Sequence, residues 1–230
     1  MKHLLGTLWR QTALFFLNTL QFTFVRYNNH TLRTNDALRK KLMDIRKQRT
    51  ARQSFEELQN IYQVSLATEQ IEGAIVEIGV YKGGSAKLIA DHANGRHIYL
   101  FDSFEGMHRS TEHDKHKAGD FDDTSVEGVR AYLGNRDDIS LHPGWFPESA
   151  EGVEIGNVSF VHLDVDLYES TLDGLRYFYP KLTRGGMILS HDYNSLSCPG
   201  VAKAFGEFFA DKPESVVELA GTTQCLVVKL

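Results

Sequence analysis

Ala74-Ile-Val-Glu-Ile-Gly-Val-Tyr-Lys-Gly-Gly-Ser85 is the stretch that decides the fold. Ala74–Ile78 reads as a short, mostly apolar strand, and Gly79 ends it. Gly79 stands where backbone must approach a ligand closely, and Gly83 and Gly84 permit a tight turn into a helix. Ser85 is placed to cap that helix. In open α/β sheets, ligands bind at such strand ends. The pattern is Glu-x-Gly-x-x-x-Gly-Gly, not the G-x-G-x-x-G of dinucleotide turns.

Working outward, the chain alternates. Strands are predicted at 74–79, 97–102, 139–142, 158–163 and 186–190, and helices at 84–93, 124–134, 168–181 and 200–211. That alternation implies a doubly wound, Rossmann-like α/β fold with a parallel sheet covered on both faces. Residues 216–219 and 224–230, joined by Ala220-Gly-Thr-Thr223, predict a terminal hairpin, so one strand runs antiparallel to the rest. Residues 1–70 read as a mostly helical extension, and 71–230 as the ligand-binding domain.

Composition sets outer limits. The 230 residues suffice for one domain with a full core, and the net charge of −5 argues against general nucleic-acid binding. The charge is uneven: residues 1–52 hold 11 Lys and Arg against 2 Asp and Glu, a net +9, and residues 53–230 hold 14 against 28, a net −14. Cys198 and Cys225 form no CxxC motif and read as reduced thiols of a cytoplasmic protein. The apolar run 14–25 is interrupted by Asn18, Thr19 and Gln21, and Arg10 and Arg26 bracket only 15 residues, too few to span a bilayer. It reads as an amphipathic helix packed on the domain or a second subunit. Contact with a membrane surface, helped by the basic run Arg39–Arg52, is the less favoured alternative.

The strand ends carry the chemistry. His97–Asp102 ends in an acid 23 residues after Gly79, placed to accept hydrogen bonds from ribose hydroxyls. Glu77 adds a second carboxylate by the turn. Together they would repel a pyrophosphate and favour the cationic sulfonium and amino groups of S-adenosylmethionine. Asp164 and Asp166 leave the fourth strand, and His191 and Asp192 the fifth. Such a cluster calls for a cation or shared protons. Oxygen ligands suit Mg²⁺ or Mn²⁺, and one histidine is tolerated by Mn²⁺, Fe²⁺ or Zn²⁺. His191 is either a ligand or a general base, and Asp166 either joins the cluster or caps the following helix. Trp145 either stacks on a ligand or belongs to the core.

The segments "VEIGVYKGGSA", "FDSFEGM", "GWFPES" and "VHLDVDLYESTLDGLRYFYPKLTRGGMILSHDY" resemble the macrocin O-methyltransferase family over about residues 70–212. The family consists of class I S-adenosylmethionine-dependent enzymes that methylate sugar hydroxyls. The resemblance implies a seven-stranded sheet with the antiparallel hairpin. It implies cofactor contacts from Glu77, Gly79, Tyr81, Gly84, Ser85, Asp102, Ser103, Trp145 and Asp164. It also implies a Mg²⁺ site made from Asp164, His191 and Asp192, with His191 standing where the family has an Asp, and catalytic roles for Asp164 and His191. The loop 106–124 becomes a lid over cofactor and acceptor, and the acceptor a small-molecule glycoside or polyol. A homodimer or larger homo-oligomer is expected. A catechol-type O-methyltransferase, a non-catalytic S-adenosylmethionine-binding protein and a nicotinamide oxidoreductase rank below this reading.

Overall fold

The strand Ala74–Ile78 (β1) forms as predicted, and its last four residues are buried. In the computed structural model, residues 36–48, 50–107, 110–117 and 119–230 are described. The apolar run 14–25 lies outside them. Two helices precede the sheet: Asp36–Gln48 (α1) and Phe55–Ala67 (α2). The chain divides into two compact units after Lys41, and the whole sheet lies in the unit Leu42–Leu230. The division expected at residue 70 falls inside this unit. Among the described residues, no helix is long and apolar enough to cross a membrane.

After β1 come Gly84–Ala90 (α3), Ile98–Asp102 (β2), Val126–Leu133 (α4), Ile139–Pro143 (β3), Val158–Leu163 (β4), Tyr168–Phe178 (α5), Leu182–Ser190 (β5), Pro199–Phe208 (α6), Val217–Glu218 (β6) and Cys225–Val228 (β7). They form one seven-stranded sheet in the order β3-β2-β1-β4-β5-β7-β6. β1 to β5 are parallel neighbours, and β7 runs antiparallel to both β5 and β6. The strand order reverses between β1 and β4, so a crevice opens at their carboxyl ends.

Alternation along β1 sends Val76 and Ile78 into a core with Val161, Leu163, Leu175, Phe178 and Phe205. Ile75 and Glu77 point to the opposite face.

β5 begins four residues earlier than predicted. Between the pairs Val158↔Leu182 and Phe160↔Met187 its register slips, a bulge that contains Gly185 at φ +81°. Glycines weaken a strand interior, and β7 holds the Gly185-Gly186 pair in the sheet. Gly185 N–H donates to Lys229 O at 2.8 Å, and Lys229 N–H donates to Gly186 O at 2.9 Å.

The last strand is also tied by Glu214. Its carboxylate accepts from the Tyr179 hydroxyl at 2.7 Å, Lys229 Nζ at 3.0 Å and Leu230 N–H at 3.3 Å. Burial works to raise its pKa, but these bonds outweigh burial and hold it at about 2. A depressed folded pKa means the stabilisation is present above the ordinary value near 4.5 and is lost as pH falls toward 2. Glu214→Gln should therefore lower the melting temperature at pH 7 by about 3–10 °C. The difference between the two proteins should shrink as pH falls from about 5 and close near pH 2.

Candidate active site

The turn after β1 is built by close backbone approach. Gly79 has φ +85°, and a Cβ there would lie 1.8 Å from Asp164 O. The glycine is thus demanded by the end of β4, where Asp164 N–H donates to Ile78 O at 2.9 Å, a constraint that the sequence did not show. Gly84 is constrained in the same way by an unforeseen neighbour. Its N–H donates to Thr50 O at 2.8 Å, and a Cβ would meet Thr50 backbone at 2.6 Å. Gly84 therefore docks the segment 50–53 and does not line the cavity.

Ser85 corrects another expectation. Gly83, at φ +81°, is the N-cap of α3, with no side-chain cap bond. The Ser85 hydroxyl instead faces Glu77. Glu77 is fully buried, with Oε1 2.8 Å from His162 Nδ1. Strand alternation points it to the face opposite Val76 and Ile78, and it does not line the cavity. Burial raises its pKa against the pull of His162.

Asp102 holds the turn together. Its Oδ2 accepts from Val80 N–H at 2.7 Å and Tyr81 N–H at 2.8 Å, and its Oδ1 accepts from Phe104 N–H at 2.8 Å. Burial raises its pKa in spite of these amides. Three of about four lone-pair directions are filled by backbone, so capping of the loop is present, and about one direction is left for a ligand.

One cavity of about 1080 Å³, open solvent at its mouth included, joins these parts. Gly79, Tyr81, Ser85, Asp102, Ser103, Trp145, Asp164, His191 and Asp192 line it; of the predicted residues, Glu77 and Gly84 do not. Trp145 belongs to its wall. The neighbouring Phe146 reaches both the wall and the aromatic core, 5.4 Å from Phe101 and 5.6 Å from Phe178 between ring centroids. Arg52, Gln53 and Phe121 also line the cavity. The Arg52 guanidinium lies 5.4 Å from the Tyr81 ring and 5.3 Å from the Phe121 ring.

The acidic group meets as predicted, with His191 at its centre. Nδ1 of His191 lies 2.6 Å from Asp192 Oδ2 and 3.0 Å from Asp164 Oδ1. Nε2 lies 3.3 Å from Glu57 Oε2. Gln53 Nε2 donates to Asp164 Oδ2. Burial opposes a charge on His191, but the Asp164, Asp192 and Glu57 carboxylates outweigh it and raise its pKa well above the ordinary value. The same pairing lowers the Asp192 and Glu57 pKa values against the upward push of burial. Burial raises the Asp166 pKa well above its ordinary value, and the charges of Asp164 and Asp192 add to it. Its surroundings therefore favour the neutral acid more than those of an exposed carboxylate do.

Asp166 does not cap α5, whose N-cap Leu167 makes no side-chain cap bond. The loop between β2 and α4 does so: Tyr168 N–H donates to Asp114 Oδ1 at 2.9 Å. Gly200 leaves room for that carboxylate, since a Cβ would lie 2.5 Å from Asp114 Oδ1. The loop is fixed at its other end by Asp123, which accepts from Tyr81 Oη at 2.8 Å. His116 comes from the same loop, and its ligating atom lies within 4.8 Å of those of Asp166 and Cys198. Burial raises the Cys198 thiol pKa, so the thiol stays protonated.

Gln53 and Glu57 were not found from the sequence. A signal was present in Ser54-Phe-Glu-Glu57, a capping box in which Ser54 Oγ accepts from Glu57 N–H at 3.2 Å and Ser54 N–H donates to Glu57 Oε2 at 2.7 Å.

The sheet order, the glycine turn and the acid-ended strands around one cavity define a class I S-adenosylmethionine-dependent methyltransferase. The chain belongs to the macrocin O-methyltransferase (TylF) family, whose model matches residues 9–215. It is similar to the 8-demethyl-8-(2,3-dimethoxy-alpha-L-rhamnosyl)-tetracenomycin-C 4'-O-methyltransferase of Streptomyces olivaceus, 32% identical over 175 residues, 68% of this chain and 67% of the relative. It is also similar to the demethyldecarbamoylnovobiocin O-methyltransferase of Streptomyces niveus, 31% identical over 172 residues, 66% of this chain and 65% of the relative. The structure of the O-methyltransferase NovP superposes with a TM-score of 0.68 at 26% identity, covering 76% of this chain and 80% of that one. The calicheamicin methyltransferase CalS11, at 18% identity, shares the fold with a TM-score of 0.66 over 86% of this chain and 94% of that one.

Proposed function

We propose that the protein methylates a hydroxyl of a sugar carried on a small-molecule glycoside. The observation that carries this reading is the meeting, in one cavity, of the turn held by Asp102 with the group Asp164, His191 and Asp192. The rhamnosyl acceptor named for the Streptomyces olivaceus relative supports the acceptor class.

In the transfer, the acceptor oxygen attacks the methyl carbon, the carbon–sulfur bond breaks, and S-adenosylhomocysteine leaves as a neutral thioether. The hydroxyl proton passes to Asp164. His191 is the poorer acceptor, because both its nitrogens face carboxylates that hold it protonated. As an imidazolium it offsets the charge of Asp164 and Asp192. The carboxylates around it suit the cationic sulfonium of the donor. Positioning of the two reactants and exclusion of water by the lid supply most of the acceleration.

One ligand atom from each of Asp164, His191 and Asp192 lies within 4.8 Å of the other two, a donor set that fits a divalent ion. Its nitrogen favours Mn²⁺ over Mg²⁺, and binding requires His191 to give up its Nδ1 proton. When bound, such an ion supplies Lewis-acid charge that lowers the pKa of the acceptor hydroxyl. The extension also covers the acceptor side of the site, a role supported by the segment Thr50–Gln53 at the cavity. The buried free thiols Cys198 and Cys225 support a cytoplasmic setting. A homodimer is part of the proposal, and sedimentation tests it.

Calorimetric titration of S-adenosylhomocysteine into chelator-treated protein should show micromolar binding. Asp102→Ala should weaken it at least about 100-fold, because three buried amides lose a charged acceptor at once. No binding by the wild type would sink the proposal. Methylation of an aglycone but not of its glycoside would sink the acceptor class.

A further inference from the structure

Glu57 is a buried carboxylate 134 positions from the histidine that it meets, and it takes no part in the proton transfer to Asp164. It is 6% exposed. Its Oε1 accepts from Thr223 N–H at 3.0 Å and Thr223 Oγ1 at 2.9 Å, in the turn between β6 and β7. Its Oε2 accepts from Ser54 N–H at 2.7 Å and faces His191 Nε2 at 3.3 Å. The carboxylate is thus fixed from two sides before it touches the ring.

The same segment reaches the neighbouring acid. Gln53, 3% exposed and four positions before Glu57, donates to Asp164 Oδ2. The segment is itself held by Thr50 O on Gly84 N–H. Helix start, glycine turn and terminal hairpin therefore converge on Asp164 and His191.

We propose that Glu57 is a positioning residue of the transfer: it grips His191 by Nε2 and so aims Nδ1 at Asp164 and Asp192. This rests on the methyltransferase reading of the site. A carboxylate on the far nitrogen fixes ring orientation, as the outer partners of catalytic and metal-bound histidines do. With the grip gone, the ring would rotate, and Asp164 and Asp192 would lose the partner that separates their charges. The competing role is purely local, a carboxylate that only completes the cap of α2.

The test reads the ring directly, in ¹⁵N-labelled metal-free protein. The side-chain N–H signals of His191 are assigned by their loss in His191→Gln. In the wild type, the Nε2–H signal should be protected from exchange with water. Glu57→Leu should speed that exchange at least about tenfold, the equivalent of one charge-assisted hydrogen bond. Glu57→Gln keeps the size and an uncharged acceptor, and should fall between the two even if Glu57→Leu folds poorly. Ser54→Ala removes the other half of the capping box without touching His191. It should lower the melting temperature and leave the His191 signals where they are. Unchanged exchange in both Glu57 variants would overturn the proposal, as would an equal change in Ser54→Ala. S-adenosylhomocysteine titrated into the same samples separates the two levels. Its binding should stay within about threefold of the wild type in both Glu57 variants. Its absence from the wild type would fell the methyltransferase reading and not the ring contact.

Discussion

Asp164→Asn should lower the rate of methyl transfer by about 10²–10⁴-fold, the range removed when a positioned proton acceptor is lost. Asn keeps the size of the side chain and an oxygen for Gln53 Nε2 or for His191 Nδ1, now 3.0 Å away. It loses the charge that accepts the proton and one of the three carboxylates that hold His191 protonated. The fold should survive, and the melting temperature should hold or rise. Asp164 raises the energy of its neighbours, since its charge helps push Asp166 out of its ordinary range. Relieving such crowding commonly stabilises an active site at the expense of activity. Rate and melting temperature measured together, on a glycoside acceptor, decide the point. A rate within threefold of the wild type would remove Asp164 from the chemistry.

Gly79→Ala should be the most damaging single-methyl change in the chain. Two effects add. The φ of +85° disfavours any side chain, and the new Cβ would fall 1.8 Å from Asp164 O and 2.7 Å from Asp164 C. Those atoms are backbone, so no rotamer change relieves the clash; the end of β4 must move. The cost should exceed about 4 kcal/mol, a drop of roughly 8–16 °C in melting temperature, with loss of S-adenosylhomocysteine binding. Gly95→Ala separates the two effects. Its φ is +79°, and nothing lies within 4 Å of the added Cβ, so only the conformational cost of about 1 kcal/mol applies. Equal melting temperatures for the two variants would contradict the close approach at Gly79.

How much of this was legible in advance varied by region. The alternation after residue 74 was read correctly because short buried strands and amphipathic helices carry their period in the local sequence. The convergence of Asp164, His191 and Asp192 was legible too, since parallel strands deliver their ends to one edge. Two readings needed correction for a common reason. Asp166 was offered a cap that Asp114 makes, and Ser85 was given a cap that the Gly83 backbone replaces. In both, a polar residue had two plausible partners, and the nearer one in sequence was favoured. Glu77 was expected beside the turn as a cofactor contact, and it pairs with the buried His162.

The sequence by itself determined the sheet, the glycine turn, the antiparallel end and the acids at the strand ends, because periodicity and glycine constraints act over a few residues. The tertiary structure alone decided which side chains meet. Gln53 reaches Asp164, and Glu57 reaches both Thr223 and His191. Those contacts close chain loops of more than 100 residues, and no local pattern specifies the partner at that distance. It is set by where the packed helices and the hairpin bring two otherwise unrelated segments to the same strand edge.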